Sequence, residues 1–158
     1  MPDDPNQPRT ALDRRAARVL PVNHRDEVLL LRGFEPAHPD DLFWFSVGGG
    51  LDEGEDDRQA AVRELWEETR IRATTAALVG PLLSETVGFS WGRYDITQQQ
   101  TWWAVRVGDV PVSFEGLDEV ERATTVEHRW WSATDLDASD QTAAPGLVEQ
   151  IRMAVAAC

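Results

Sequence analysis

Apolar residues fall into short blocks whose spacing switches between a strand period and a helix period. ARVLPV (17–22), VLLLRG (28–33) and LFWFSV (42–47) are compact apolar runs separated by the polar stretches NHRDE and FEPAHPDD, and they predict three strands. Pro21 lacks a ladder donor, so the first strand is expected at an edge or a bulge. The triple glycine Gly48, Gly49 and Gly50 ends the third strand. TTAALVGPLLSETVGF then predicts one or two strands broken at Gly80–Pro81, SWGRYD (90–95) a loop or hairpin tip, and QQQTWWAVRV (98–107) a strand. Residues 108–125 read as an acidic loop, VEHRWW as a last strand, Ser132 as the cap of a short helix and LVEQIRMAVAA as an amphipathic helix. In the pairs Trp102–Trp103 and Trp130–Trp131, one indole must face each side of a sheet. Strand and helix periods interleave without a fixed repeat, which defines an α/β chain with a mixed sheet flanked by helices.

The strongest helix runs from Asp56 to about Thr69. Asp56 can cap it, and Gln59, three residues on, completes a capping box. With Glu64 at zero and about 100° per residue, Ala61, Val62, Leu65, Trp66 and Thr69 fall between about 60° and 200°, one apolar face. Glu64, Glu67 and Glu68 share a separate arc beside it, within about 60° of zero. Like charges at this spacing repel by about 0.2–0.5 kcal/mol per pair, more when enclosed, so a compensating cation is expected. Mg²⁺ or Mn²⁺ suits carboxylate oxygens, and a strand, a glycine turn and a carboxylate-bearing helix together point to metal-assisted chemistry on a phosphate.

Composition narrows the classes. The 158 residues carry 15 basic and 28 acidic side chains, a net charge of −13, which disfavours duplex nucleic acid and anionic membranes as partners. All the basic residues are arginine, so a lysine nucleophile or Schiff base is excluded. The single cysteine, Cys158, excludes an internal disulfide and a cysteine-rich metal site, and with no signal-like apolar run at the N-terminus a cytoplasmic location is expected. Residues 1–14, polar and rich in proline, are expected to form a flexible tail ahead of a single domain over 15–158.

GGLDEGEDDRQAAVRELWEETRI, Gly49 to Ile71, resembles the signature of the Nudix hydrolase family, G-x5-E-x7-R-E-U-x-E-E-x-G-U with U aliphatic. Gly49, Glu55, Arg63, Glu64, Leu65, Glu67, Glu68 and Ile71 match it, and WFSVGG resembles the W-x-L-P-G-G that usually precedes it, with Ser46 and Val47 in place of Leu and Pro. Arg70 departs from the usual glycine, where a left-handed residue would cost about 1 kcal/mol. The resemblance implies an α/β/α sandwich over about residues 17–156 and a pyrophosphohydrolase acting with Mg²⁺, or Mn²⁺ as a substitute, on a small diphosphate such as a nucleoside triphosphate or a nucleoside diphosphate derivative. It implies metal binding by Glu67 and Glu68, with Glu64 a further ligand or the base that deprotonates water. Glu55 is implied as an additional ligand, Arg63 as the residue that orients the glutamates, and Gly49 as a source of backbone geometry or a carbonyl ligand. A fourth acid often comes from a later loop, for which Glu119 and Glu121 are the candidates.

Substrate contacts are harder to place. Arg32 and Arg93 could meet a phosphate, and Trp44, Phe89, Trp91 and Tyr94 could stack on a base, although core packing is the favoured reading of Trp44. Trp91, beside Gly92 and Arg93, is the favoured base contact in a flexible connection from Ser84 to Asp95. A monomer or a homodimer fits the chain. The alternative is a non-catalytic nucleotide- or protein-binding module on the same fold. Isopentenyl diphosphate isomerases, also in the family, need a cysteine near the site, whereas Cys158 is terminal.

Overall fold

Alternating apolar faces need two covering layers, and the chain supplies them with helices on both sides of a six-stranded sheet. The computed structural model describes residues 6–158: β1 (Thr10–Val22), β2 (Val28–Gly33), β3 (Phe43–Gly50), α1 (Asp57–Thr69), a 3₁₀ turn (Thr75–Ala77), β4 (Val79–Trp91), β5 (Tyr94–Arg106), α2 (Glu119–Thr124), β6 (Thr125–Trp131), α3 (Ala133–Ala138) and α4 (Leu147–Ala157). The sheet order is β4-β5-β1-β3-β2-β6, with β1 and β5 parallel and the other pairs antiparallel. Ala17, Val19, Leu29, Leu31, Val47, Trp103 and Val105 pack against Ala60, Ala61 and Leu65 of α1. On the opposite face Leu20, Val22, Leu30, Trp44, Trp102 and Trp131 pack against Leu136, Leu147 and Ile151 of α3 and α4. The result is the expected α/β/α sandwich. Each tryptophan pair divides between the faces: Trp102 and Trp131 lie in the second cluster, and Trp103 and Trp130 pack in the first.

Three local expectations change. β1 begins at Thr10, so residues 10–14 belong to the sheet instead of a tail, while residues 1–5 of that expected tail lie outside the described residues. β1 is central, not an edge, yet its pairing with β3 ends at Val19, and Pro21 pairs only with β5 at Val105. The proline therefore sits at a local edge, where its missing donor breaks no second ladder. Within the acidic stretch 108–125, Asp118 accepts from the Glu121 backbone and Glu121 from that of Asp118, a capping box that starts α2.

α1 forms as the spacing predicts. Asp56 accepts from the Gln59 backbone at 2.8 Å and Gln59 answers at 3.0 Å, closing the capping box. Arg70 ends the helix in the left-handed region, φ 60° and ψ 23°, with its guanidinium 4.7 Å from the Trp66 ring centre. Replacing it tests both features. Arg70→Gly removes the backbone strain and the cation–π contact, whereas Arg70→Ala removes only the contact, so urea unfolding should find the glycine variant more stable than the alanine variant by about 1 kcal/mol.

Candidate metal and phosphate site

α1 lies across β1 and β3 so that its carboxylate arc meets the glycine run. The Gly48 amide, at φ 145°, donates to Glu68 Oε1 at 3.2 Å. A β-carbon on Gly48 would fall 2.2 Å from the Ala17 carbonyl oxygen, and one on Gly49 would fall 2.6 Å from Glu64 Oε1. Glycine is therefore needed twice: once so that the backbone can approach β1, and once to leave room for a carboxylate.

Arg63 organises the acidic loop. Its Nε and Nη2 donate to the two oxygens of Glu55 at 2.7 and 2.9 Å, and Nη2 also reaches the Gly50 carbonyl at 2.9 Å. Its Nη1 donates to Glu64 Oε1 at 2.9 Å and to Glu67 Oε2 at 3.1 Å, the latter across one helical turn, and Asp52 lies 3.2 Å from Nε. Hydrogen bonding to Arg63 holds the Glu55 carboxyl below the ordinary carboxylate range, and the same contacts raise the already high pKa of Arg63.

Glu64, Glu68 and Glu121 each present a carboxylate oxygen within 4.8 Å of the other two. Glu64 and Glu68 are 8% and 4% exposed, so this is not a solvated helix face. Burial, with the charge of Glu64 added, pushes Glu68 well above the ordinary value near 4.5 despite the opposing charge of Arg18. Burial likewise raises Glu121, with contributions from Asp118 and Glu64. Three hard oxygen donors, two of them buried and mutually repulsive, fit Mg²⁺ or Mn²⁺ and lack the nitrogen or sulfur that zinc prefers.

These shifts set a direction for pH dependence in the absence of metal. A carboxyl with a raised folded pKa contributes stability that is full below about 4.5 and is lost as pH rises through the folded value. Glu55, whose value is lowered, acts on the acid side and leaves the neutral range untouched. In chelator, the melting temperature should fall as pH rises above about 4.5, and Glu68→Gln should flatten that fall. An unchanged slope in the variant would contradict the burial-driven shift.

The structure sorts the remaining candidates. Glu67 is 44% exposed at its side chain and, like Glu55, is engaged by Arg63 outside the trio. Glu121 converges on the site whereas Glu119 does not. Trp44 is fully buried beneath α4, edge-on to Trp131 at 5.4 Å and hydrogen-bonded to Gln141, so it cannot stack on a substrate base. Arg32 pairs with Glu127 at 3.4 Å and lies over the Trp44 ring.

Ser84 to Trp91 is strand, not loop, and Trp91 stands beside the two-residue tip Gly92–Arg93. The register pairs Thr10 with Tyr94 but Ala17 with Thr101. Trp91 therefore lies about seven residues, roughly 20 Å, along the sheet from the Gly49 row. Arg93 is likewise at that tip, over Tyr94. The arginines that do face the carboxylates are Arg14 and Arg18 on β1, a contribution that sequence reasoning missed. Arg18 donates to the Ser46 hydroxyl at 2.9 Å and to its carbonyl at 2.5 Å, and the charges of Glu68 and Glu64 act on it; that of Glu64 acts on Arg14. Residues i and i+4 on one strand share a face, a signal that a basic pair in β1 already carried.

The molecule is thus an α/β/α sandwich in which a carboxylate-bearing helix meets a glycine run and three carboxylates converge. The chain belongs to the NUDIX domain family, which it matches over residues 12–152. It is 41% identical over 71 residues to an RNA pyrophosphohydrolase of Cereibacter sphaeroides, a match covering 40% of this chain and only 44% of that protein. An RNA pyrophosphohydrolase of Bradyrhizobium diazoefficiens is 34% identical over 130 residues, covering 74% of this chain and 76% of the relative. Among solved structures, the Escherichia coli dihydroneopterin triphosphate pyrophosphohydrolase superimposes with a TM-score of 0.69 at 21% identity, over 93% of this chain and 99% of that one. Among the described residues no helix is long and apolar enough to cross a membrane.

Proposed function

We propose that this chain is a divalent-metal-dependent pyrophosphohydrolase that cleaves a diphosphate linkage in a nucleoside triphosphate or a nucleoside diphosphate derivative. The observation that carries this reading is the convergence of Glu64, Glu68 and Glu121 within 4.8 Å of one another. Mg²⁺ or Mn²⁺ held by these carboxylates would supply positive charge to the diphosphate oxygens and lower the pKa of water. Glu68 is fixed by the Gly48 amide, and Glu121 reaches the site from the first turn of α2. Glu64 commits Oε1 to Arg63, which leaves Oε2 to bind the ion or to take the proton of an attacking water. Arg63, with Glu55, Glu67 and the Gly50 carbonyl as its partners, holds the acidic loop against the helix. Glu67 gives Arg63 only Oε2 and keeps Oε1 for an ion, whereas both oxygens of Glu55 are engaged by Arg63, so Glu55 adds a ligand only by giving up part of that pairing. The net charge of −13 makes a bound cation necessary before a polyphosphate can approach.

The test is incubation with nucleoside triphosphates, nucleotide sugars, dinucleoside polyphosphates and 5′-triphosphorylated RNA, the last suggested by the relatives' name, each with Mg²⁺ and with Mn²⁺. Both products are identified in every case. The expected result is diphosphate cleavage of at least one compound, abolished by chelator. Absence of product from every compound with either metal would overturn the proposal and favour a binding module.

A further inference from the structure

A row of polar side chains crosses the sheet beside the carboxylates, and its direction is fixed by chemistry at its two ends. Gln98, Gln100 and Trp102 alternate onto one face of β5; β1 places Arg14 opposite Gln98, and β4 places Glu85 opposite Gln100. Arg14 Nε donates to Gln98 Oε1 at 2.5 Å, Gln98 Nε2 to Gln100 Oε1 at 2.8 Å, and Gln100 Nε2 to Glu85 Oε1 at 2.7 Å. Trp102 Nε1 donates to the same Glu85 oxygen at 3.1 Å. Gln98 and Gln100 are only 3% and 8% exposed.

An ionised Glu85 can only accept, so Gln100 must turn its amide nitrogen toward it and its oxygen toward Gln98. Gln98 must then do the same, which leaves its oxygen facing Arg14, a group that can only donate. The orientation of both amides is thus fixed consistently from the two ends, with Glu85 as the charged anchor of the row that holds Arg14.

Arg14 spends one donor on this row. Among the described residues it forms no salt bridge, and its Nη1 and Nη2 have no hydrogen-bond partner. The guanidinium stands beside Gly50, with Nη1 3.9 Å from where a β-carbon on that glycine would lie, and the charge of Glu64 acts on it. It lines an open cavity of about 570 Å³ together with Arg15, Gly50, Leu51 and Glu55.

We propose that Arg14 takes the oxygens of the phosphate chain adjoining the scissile linkage, and that Gln98, Gln100 and Glu85 are positioning residues that hold its fork open for them. This inference rests on the pyrophosphohydrolase reading for the identity of the phosphate. Its test is therefore equilibrium binding, which does not require turnover.

Calorimetric titration with inorganic pyrophosphate in Mg²⁺ is compared among the wild type, Arg14→Met, Glu85→Gln and the double variant, with circular dichroism confirming that each is folded. Arg14→Met is expected to raise Kd by about 10-fold or more, the usual effect of losing charge-assisted hydrogen bonds. Glu85→Gln keeps the shape and an acceptor but removes the negative charge that strengthens the hydrogen bonds at the end of the row, so it should raise Kd by about 3-fold or more and add nothing in the Arg14→Met background. A purely structural row would give equal Glu85→Gln effects in both backgrounds. That result, a Kd for Arg14→Met within 2-fold of the wild type, or no wild-type binding of pyrophosphate at all would overturn the inference. If Glu85→Gln unfolds the chain, Gln98→Glu, which places an acceptor-only group against Arg14 and breaks the relay beyond it, substitutes: retained pyrophosphate affinity supports an Arg14 role without the relay and overturns the positioning claim. Binding with the expected losses but no hydrolysis of any compound would leave Arg14 in place and reject the hydrolase reading alone.

Discussion

Glu68→Gln is expected to lower turnover of the best substrate by at least about 100-fold, which is about 2.7 kcal/mol of transition-state stabilisation. The same variant should melt at an equal or higher temperature than the wild type in metal-free buffer. The two effects have one cause. Glu68 is buried against Glu64 and Glu121, so an ion can draw on its charge while the empty site must bear the repulsion. Glutamine keeps the volume and can still accept from the Gly48 amide, which limits the structural damage. Steady-state kinetics and thermal unfolding on one preparation separate these outcomes, and near-wild-type turnover would remove Glu68 from the metal site.

Arg63→Met should behave in the opposite way, losing both stability and activity. Its guanidinium is 22% exposed at the side chain and pairs with Glu55, Glu64, Glu67 and Asp52, so removal leaves an acidic cluster without its cation. Breaking a largely buried pair costs about 3 kcal/mol, and here the loss should also loosen Glu64 and depress turnover by about 100-fold. Arg63→Lys restores the charge but not the five-donor fork, so it should recover the smaller part of both losses. Urea unfolding with and without Mg²⁺ measures the first loss. A stability within about 0.5 kcal/mol of wild type for Arg63→Met would show the cluster to be held by other contacts.

Much of this site was legible because its determinants are local. The capping box of Asp56 and Gln59, the shared arc of the helix glutamates and the Arg63–Glu67 spacing each depend on residues within one or two helical turns, and the structure reproduces them. What escaped is what strand register decides. Glu85, Gln98 and Arg14 are brought side by side by pairings spanning 84 residues of chain in the case of Arg14 and Gln98, and no local pattern carries such a distance. The same register takes Trp91 away from the glutamates, although its neighbours in sequence made it look like a recognition loop. Trp44 illustrates a different limit. An aromatic residue four positions before the glycine run favours core but leaves a stacking role open, and the docking of α4 settles it as core. α2 was missed because six residues are too few for a periodic signal, although its capping pair Asp118 and Glu121 stood in the sequence. That omission mattered, since the helix turns Glu121 toward the site while leaving Glu119 outside it.

The participation of Glu121 offers the most direct test of the three-carboxylate metal site. Mn²⁺ is titrated into the wild type and into Glu121→Gln, and free ion is followed by its electron paramagnetic resonance signal, a readout independent of substrate and turnover. Loss of one of three carboxylate ligands from a partly buried site should weaken the tightest Mn²⁺ site by about 10-fold or more, with the fold intact by circular dichroism. Superimposable isotherms for the two proteins, or a wild type that binds no Mn²⁺ at millimolar concentration, would contradict a divalent-ion site built on Glu64, Glu68 and Glu121.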